Sequence, residues 1–168
     1  MNFGAAVCVV GLTATSVASV FDSAMAQQKS LRERLLGAWT LVSIVATRPD
    51  GNKEEPFSTD EGILMFDGSG YFSVQLCKRG RPKYASNNRL KGTLEEYQAS
   101  AQGCYTAWGR YTVSEPDRTL TIAIDHALFP NLEGTRQVLT TRIAGDELMY
   151  SSPGAAGGTA DVVWRRAQ

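Results

Sequence analysis

Thr119-Leu120-Thr121-Ile122-Ala123-Ile124-Asp125-His126 puts Leu120, Ile122, Ile124 and His126 in one alternating phase and Thr119, Thr121, Ala123 and Asp125 in the other. Successive side chains of a strand point to opposite faces, so the period of two marks a half-buried β-strand. The same alternation carries the chain's only histidine onto an apolar face, where a polar group needs a partner or a ligand. Phe129-Pro130-Asn131 and Gly134 follow at once and predict a tight corner.

Working outward, the second half reads as a meander of strands over 109–113, 119–126, 136–143, 147–151 and 160–165. Ser114-Glu115-Pro116-Asp117 and Ala144-Gly145-Asp146 supply hairpin-type connections, and residues 154–158 form a glycine-rich loop without a phosphate-binding pattern. Upstream, residues 31–36 predict a brief helix. Trp39 to Ala46 is rich in strand formers and stops at Arg48-Pro49-Asp50-Gly51-Asn52. Gly62–Phe66 and Tyr71–Cys77 are strands joined by Asp67-Gly68-Ser69-Gly70, with Phe72, Val74 and Leu76 alternating against Tyr71, Ser73, Gln75 and Cys77.

One segment breaks the β pattern. After a polar loop over 78–92, Thr93 with Glu96 three residues on is a capping box. Leu94, Tyr97, Ala101, Cys104, Tyr105 and Trp108 then recur at helical steps, predicting a packed helix that Gly103 weakens and Gly109 ends. About eight short strands and a mid-chain helix predict a mainly β fold, a closed antiparallel barrel or a sandwich. A barrel of about eight strands encloses either packed side chains or one small ligand.

Composition narrows the function classes. The 168 residues are 43% hydrophobic and carry 17 basic against 17 acidic side chains, which fits one globular domain of zero formal charge. No global field draws such a chain to nucleic acid or an anionic membrane. The basic run Lys78-Arg79-Gly80-Arg81-Pro82-Lys83 reads as a solvated loop, as a nucleic-acid patch, or as decoration of a pocket mouth that attracts anionic ligands. Residues 1–26 are expected to be a secretory signal: Ala5 to Val20 is apolar and small, and Ala24-Met25-Ala26 suits signal peptidase, although no basic residue precedes Lys29. The domain then spans 27–168, in a periplasmic or secreted location with no stable membrane span after processing. Cys77 and Cys104 become either a disulfide or two buried thiols. Their spacing fits no zinc motif, so neither a metal nor a cofactor is expected.

Four segments in order make the sequence similar to a known family. Leu36-Gly37-Ala38-Trp39-Thr40-Leu41-Val42-Ser43 resembles its G-x-W-x-L-V-S opening. Asp67 to Leu76 and Trp108-Gly109-Arg110-Tyr111 follow, and His126 to Arg136 is similar to its His…Phe-Pro-Asn-Trp…Gly motif, with Leu132 in place of the Trp. The chain thus resembles the single-domain lipocalin-like proteins of bacteria and fungi over nearly all of 31–166. The resemblance implies a calycin-type β-barrel with an interior cavity. It implies no single function, since most members are uncharacterised and some relatives act as cyclases or isomerases.

Three readings follow. In the first, the barrel binds a small apolar or amphipathic molecule on Trp39, Phe66, Trp108, Tyr111 and Phe129, with Gln75, His126, Asn131 and Arg136 orienting it. In the second, a cofactor-free cyclase or isomerase uses His126 as general acid or base, with Tyr111 or Arg136 steadying an oxyanion. In the third, His126 is a buried structural residue and the chain is a structural or interaction domain without a ligand.

Overall fold

The structure, a computed structural model, describes Met1 and residues 29–59, 61–154 and 157–168; apart from Met1, the expected export signal lies outside the described residues. A short helix α1 (Leu31–Leu35) leads into the long strand β1 (Gly37–Thr47). The strands β2 (Lys53–Glu54), β3 (Gly62–Phe66) and β4 (Tyr71–Cys77) come next, then helix α2 (Leu94–Gln102). The chain continues as β5 (Cys104–Ser114), β6 (Thr119–Ala127), a 3-10 turn (Pro130–Leu132), β7 (Arg136–Ala144), β8 (Glu147–Pro153) and β9 (Thr159–Arg166). Every pairing is antiparallel, and besides its neighbours in the sheet order β1 also pairs with β9, from Trp39↔Arg166 to Thr47↔Thr159. That last ladder closes eight strands into a barrel and decides against a sandwich. β2 is an extra strand on the end of β1. Among the described residues, no helix is long and apolar enough to cross a membrane.

Closure removes exposed strand edges and gives the inward phase of each strand one shared interior. Trp39, Leu41, Leu64, Phe72, Val74, Leu76, Leu120, Leu139, Leu148, Val162 and Trp164 form that buried set. The end where β1 starts is sealed. Leu35 of α1 is fully buried, and Arg34 and Arg32 of the same helix reach the Ile143 and Gly68 carbonyls. The Trp39 indole N–H donates to the Leu35 carbonyl at 2.8 Å, and the Arg166 guanidinium lies 4.2 Å from the Trp39 ring centre. Arg166 also donates to the Leu36 and Arg34 carbonyls, at 2.9 and 2.5 Å. Beside this plug, the Tyr111 hydroxyl donates to the Asp67 carbonyl at 2.7 Å and its ring meets Phe66 edge-on.

The capping box of α2 forms as predicted, with Thr93 and Glu96 exchanging hydrogen bonds. The helix is shorter than its apolar pattern implies. Gly103 caps it, and Cys104, Tyr105 and Trp108 belong to β5, so Gly109 lies inside a strand rather than at a helix end. Leu94 and Tyr97 stay exposed, and no residue of α2 is fully buried. The excursion 78–103 is tied at its base. Cys77 and Cys104, directly opposed in the β4–β5 ladder with Cα atoms 4.2 Å apart, are joined as a disulfide.

Candidate functional site

The barrel is hollow at the end opposite the plug. A cavity of about 740 Å³ runs between the strands, within the ~300–1,000 Å³ of typical ligand sites. Its walls are apolar: Ile44, Leu64, Phe72, Val74, Leu120, Ile122, Leu139 and Val162 face it from six strands. Few polar groups interrupt them. Tyr105, Gln137, Tyr150 and Ser152 reach the cavity, and Arg48, Glu54, Lys78 and Gln102 stand where the strands open.

Tyr150 and Trp164 form the defined polar pair of the interior. Both lie in period-two runs, Leu148-Tyr150-Ser152 on β8 and Ala160-Val162-Trp164 on β9, which is why they share the inner face. The Trp164 indole N–H donates to the Tyr150 hydroxyl at 3.0 Å. That phenol therefore accepts from the protein and, among the described residues, has no acceptor for its own proton. Burial pushes its pKa far above the usual phenol range, against the Trp164 hydrogen bond and with a further push from nearby Tyr105. Tyr105 is raised by burial as well. Both phenols stay protonated near neutral pH, so the interior offers neutral O–H donors.

At the mouth, Arg48 pairs with Glu54 at 2.7 Å. Lys78 makes no ion pair among the described residues; its ammonium sits 6.0 Å from the Phe57 ring centre. The loop it begins is anchored by Arg81, which donates to the Lys78 carbonyl and to the Cys104 sulfur, and by Glu61, which accepts from the Arg79 N–H. Of the basic run, Lys78 lines the opening of the cavity, and Arg81 is held against Cys104, which lines it too.

His126 does not face this cavity. The β5–β6 ladder pairs Ala107 with Ala127 and Trp108 with His126, then jumps to Gly109 with Ile124, leaving Asp125 as an extra residue. This β-bulge reverses the phase of alternation. Ile124 is 1% exposed, Asp125 and His126 both face solvent, and Ala127 packs inward. The partner strand shows why the bulge sits there. A Cβ on Gly109 would lie 2.0 Å from the Ala123 carbonyl oxygen and 2.8 Å from the Asp125 nitrogen, so the bulged backbone occupies space that only glycine leaves open. Outside the wall, His126 leans on Trp108 with ring centres 5.1 Å apart, and its Nδ1 lies 3.4 Å from Glu133.

The other expected site residues divide sharply. Phe66 and Phe129 line the cavity. Trp39 and Tyr111 are buried, but in the sealed end rather than on the cavity wall. Gln75 and Trp108 project outward from β4 and β5, Trp108 being 44% exposed. Asn131 is exposed on the 3-10 turn. Arg136 is exposed at the start of β7; its neighbour Gln137, opposite Ile122, occupies the inward phase instead. Tyr105, Tyr150 and Trp164 were not anticipated from sequence. For Tyr150 and Trp164 the period-two alternation of β8 and β9 is a sufficient signal, whereas Tyr105 is masked by its fit to a helical stripe.

No curated protein matches the chain. Among solved structures, a lipocalin-like protein from Bacteroides uniformis ATCC 8492 is 16% identical, with a TM-score of 0.43 over 80% of this chain and 99% of that one. A redesigned β-barrel is also 16% identical, with a TM-score of 0.44 over 83% of this chain and all of that one. The model of the lipocalin-like domain family matches residues 36–167, from the Leu36 carbonyl that Arg166 holds through the last strand. This chain belongs to the lipocalin-like domain family.

Proposed function

We propose that this protein binds one small, largely apolar or amphipathic molecule inside its barrel. The observation that carries the reading is the 740 Å³ cavity, walled by aliphatic and phenyl side chains and supplied with a few placed polar groups, Tyr150 chief among them. Removing apolar ligand surface from water is worth about 25 cal/mol per Å², so such a cavity favours an apolar body whatever the headgroup. Phe57 and Phe129, together with Ala101 and Gln102 of α2, line it near the opening and shield an occupant from solvent.

The reading includes export. The apolar stretch Ala5–Val20 and the Ala24-Met25-Ala26 site support it, and the Cys77–Cys104 disulfide suits an oxidising compartment. N-terminal sequencing of the protein from its source cells should begin at Gln27; an intact Met1 would overturn export.

Native mass spectrometry, followed by denaturing extraction, tests the binding function. A stoichiometric small molecule of mainly apolar character is the expected result. A protein that carries nothing, and takes up nothing from a panel of apolar and amphipathic compounds, would overturn it.

A further inference from the structure

The cavity's two polar features differ in kind, and together they define a ligand class. Within the barrel the Tyr150 oxygen already accepts from the Trp164 N–H, while its own proton has no acceptor among the described residues. A group meeting it satisfies that proton by accepting. Among the described residues the interior holds no cation to balance an anion there: the charged residues lining the cavity are Arg48, Glu54 and Lys78, all at the mouth. A deep acceptor is therefore uncharged, a carbonyl, hydroxyl or ether oxygen.

The mouth has the opposite character. Glu54 is spent on Arg48, while Lys78 is exposed and has no ion-pair partner among the described residues. Arg79, Arg81 and Lys83 continue the same run, and Glu61, close enough to feel the Lys78 charge, accepts from the Arg79 and Ser58 backbone N–H groups without forming an ion pair with Lys78. An anion at the opening meets an ammonium that, among the described residues, has no ion pair to give up.

We propose that the ligand is an amphipathic anion of the carboxylate type, its apolar body inside the barrel, its head at Lys78, and an uncharged oxygen on the body accepting from Tyr150. This rests on the cavity-binding function above and adds the chemistry of the ligand to it.

Displacement of the uncharged fluorophore N-phenyl-1-naphthylamine tests it, with dodecanoate, methyl dodecanoate, dodecyltrimethylammonium and a series of oxododecanoates as competitors. Dodecanoate should bind about fivefold tighter than its methyl ester, the range of an exposed ion pair, and the ammonium compound should be weakest. Lys78→Gln should bring acid and ester together. One member of the oxo series should bind about fivefold tighter than dodecanoate, as one net hydrogen bond allows, and lose that gain in Tyr150→Phe. Tyr150→Phe must retain the fluorophore to show that it folds; if it does not, the Lys78 comparison alone decides.

Equal binding of acid and ester, or a Lys78→Gln variant that keeps the acid preference, overturns the proposal while leaving cavity binding intact. If neither the fluorophore nor any compound of the panel binds, the cavity function fails and this inference with it.

Discussion

Replacing Gly109 with alanine probes the feature that turns His126 away from the cavity. The added Cβ would lie 2.0 Å from the Ala123 oxygen, 2.8 Å from the Asp125 nitrogen and 3.0 Å from the Ala123 carbonyl carbon. All three are backbone atoms, so no side chain can swing aside. Either the β5–β6 ladder separates or the bulge at Asp125 is rebuilt. Overpacking of this kind costs typically 1–3 kcal/mol, and with backbone atoms as the obstacle the upper end applies, about 3 kcal/mol. For a domain of this size, that lowers the melting temperature by about 6–12 °C. Gly68 supplies the control: it lies in the neighbouring hairpin, has no positive φ, and a Cβ there meets nothing within 4 Å. Gly68→Ala should be neutral or stabilise by about 0.5 kcal/mol through the unfolded chain. Urea unfolding of both variants beside the parent reads the difference. A Gly109→Ala variant as stable as Gly68→Ala would refute the close approach and, with it, the account of why the strand phase reverses before His126.

His126→Ala should leave ligand affinity unchanged in the same displacement assay, because the imidazole packs on Trp108 outside the wall; a large loss would place it at the site after all. Reducing the Cys77–Cys104 disulfide should destabilise the fold by about 3.5 kcal/mol, the chain-entropy value for its separation of 27 residues, read as a shift in the urea midpoint with and without reductant. Identical midpoints would show that the bond is absent in solution. Lowering pH should also destabilise the barrel. Asp67 is held below its ordinary 3.8 by the Ser69 hydroxyl and then the Tyr71 N–H, and Glu61 below its ordinary 4.5 by the Arg79 and Ser58 N–H groups. Their folded values lie under their unfolded ones, so their contribution is complete above the ordinary values and disappears as pH falls through the lowered ones. Asp67→Asn should flatten that acid limb in pH-dependent melting, and an unchanged limb would count against these contacts.

Much of the fold was legible because local chemistry and global architecture agree. The Asp67-Gly68-Ser69-Gly70 turn and the alternation of Phe72, Val74 and Leu76 place β3 and β4 to the residue. The sealed end and the bulge were not legible, because both arise from contacts between segments distant in sequence. Asp125 is an extra residue only in relation to Gly109, and nothing in Ile124-Asp125-His126 alone marks the reversal. Arg136 and Gln137 make the same point: a one-residue error of phase exchanges the inside of a barrel for its outside. Cys104, Tyr105 and Trp108 satisfy helical spacing by coincidence, and Gly103 was the true end of the helix. The basic run at 78–83 was legible as a loop, but the place of Lys78 at the cavity mouth depends on β4 ending there.

The most direct test of a hollow, ligand-holding barrel is to plug it. Ala160 of β9 faces the cavity and is almost fully buried, so a phenyl ring at this position projects into the open volume. Titration with N-phenyl-1-naphthylamine should show one saturable site in the parent and its loss in a folded Ala160→Phe variant. Undiminished binding to the plugged protein would contradict the account, because the molecule would then be held on the outer surface and not in the barrel.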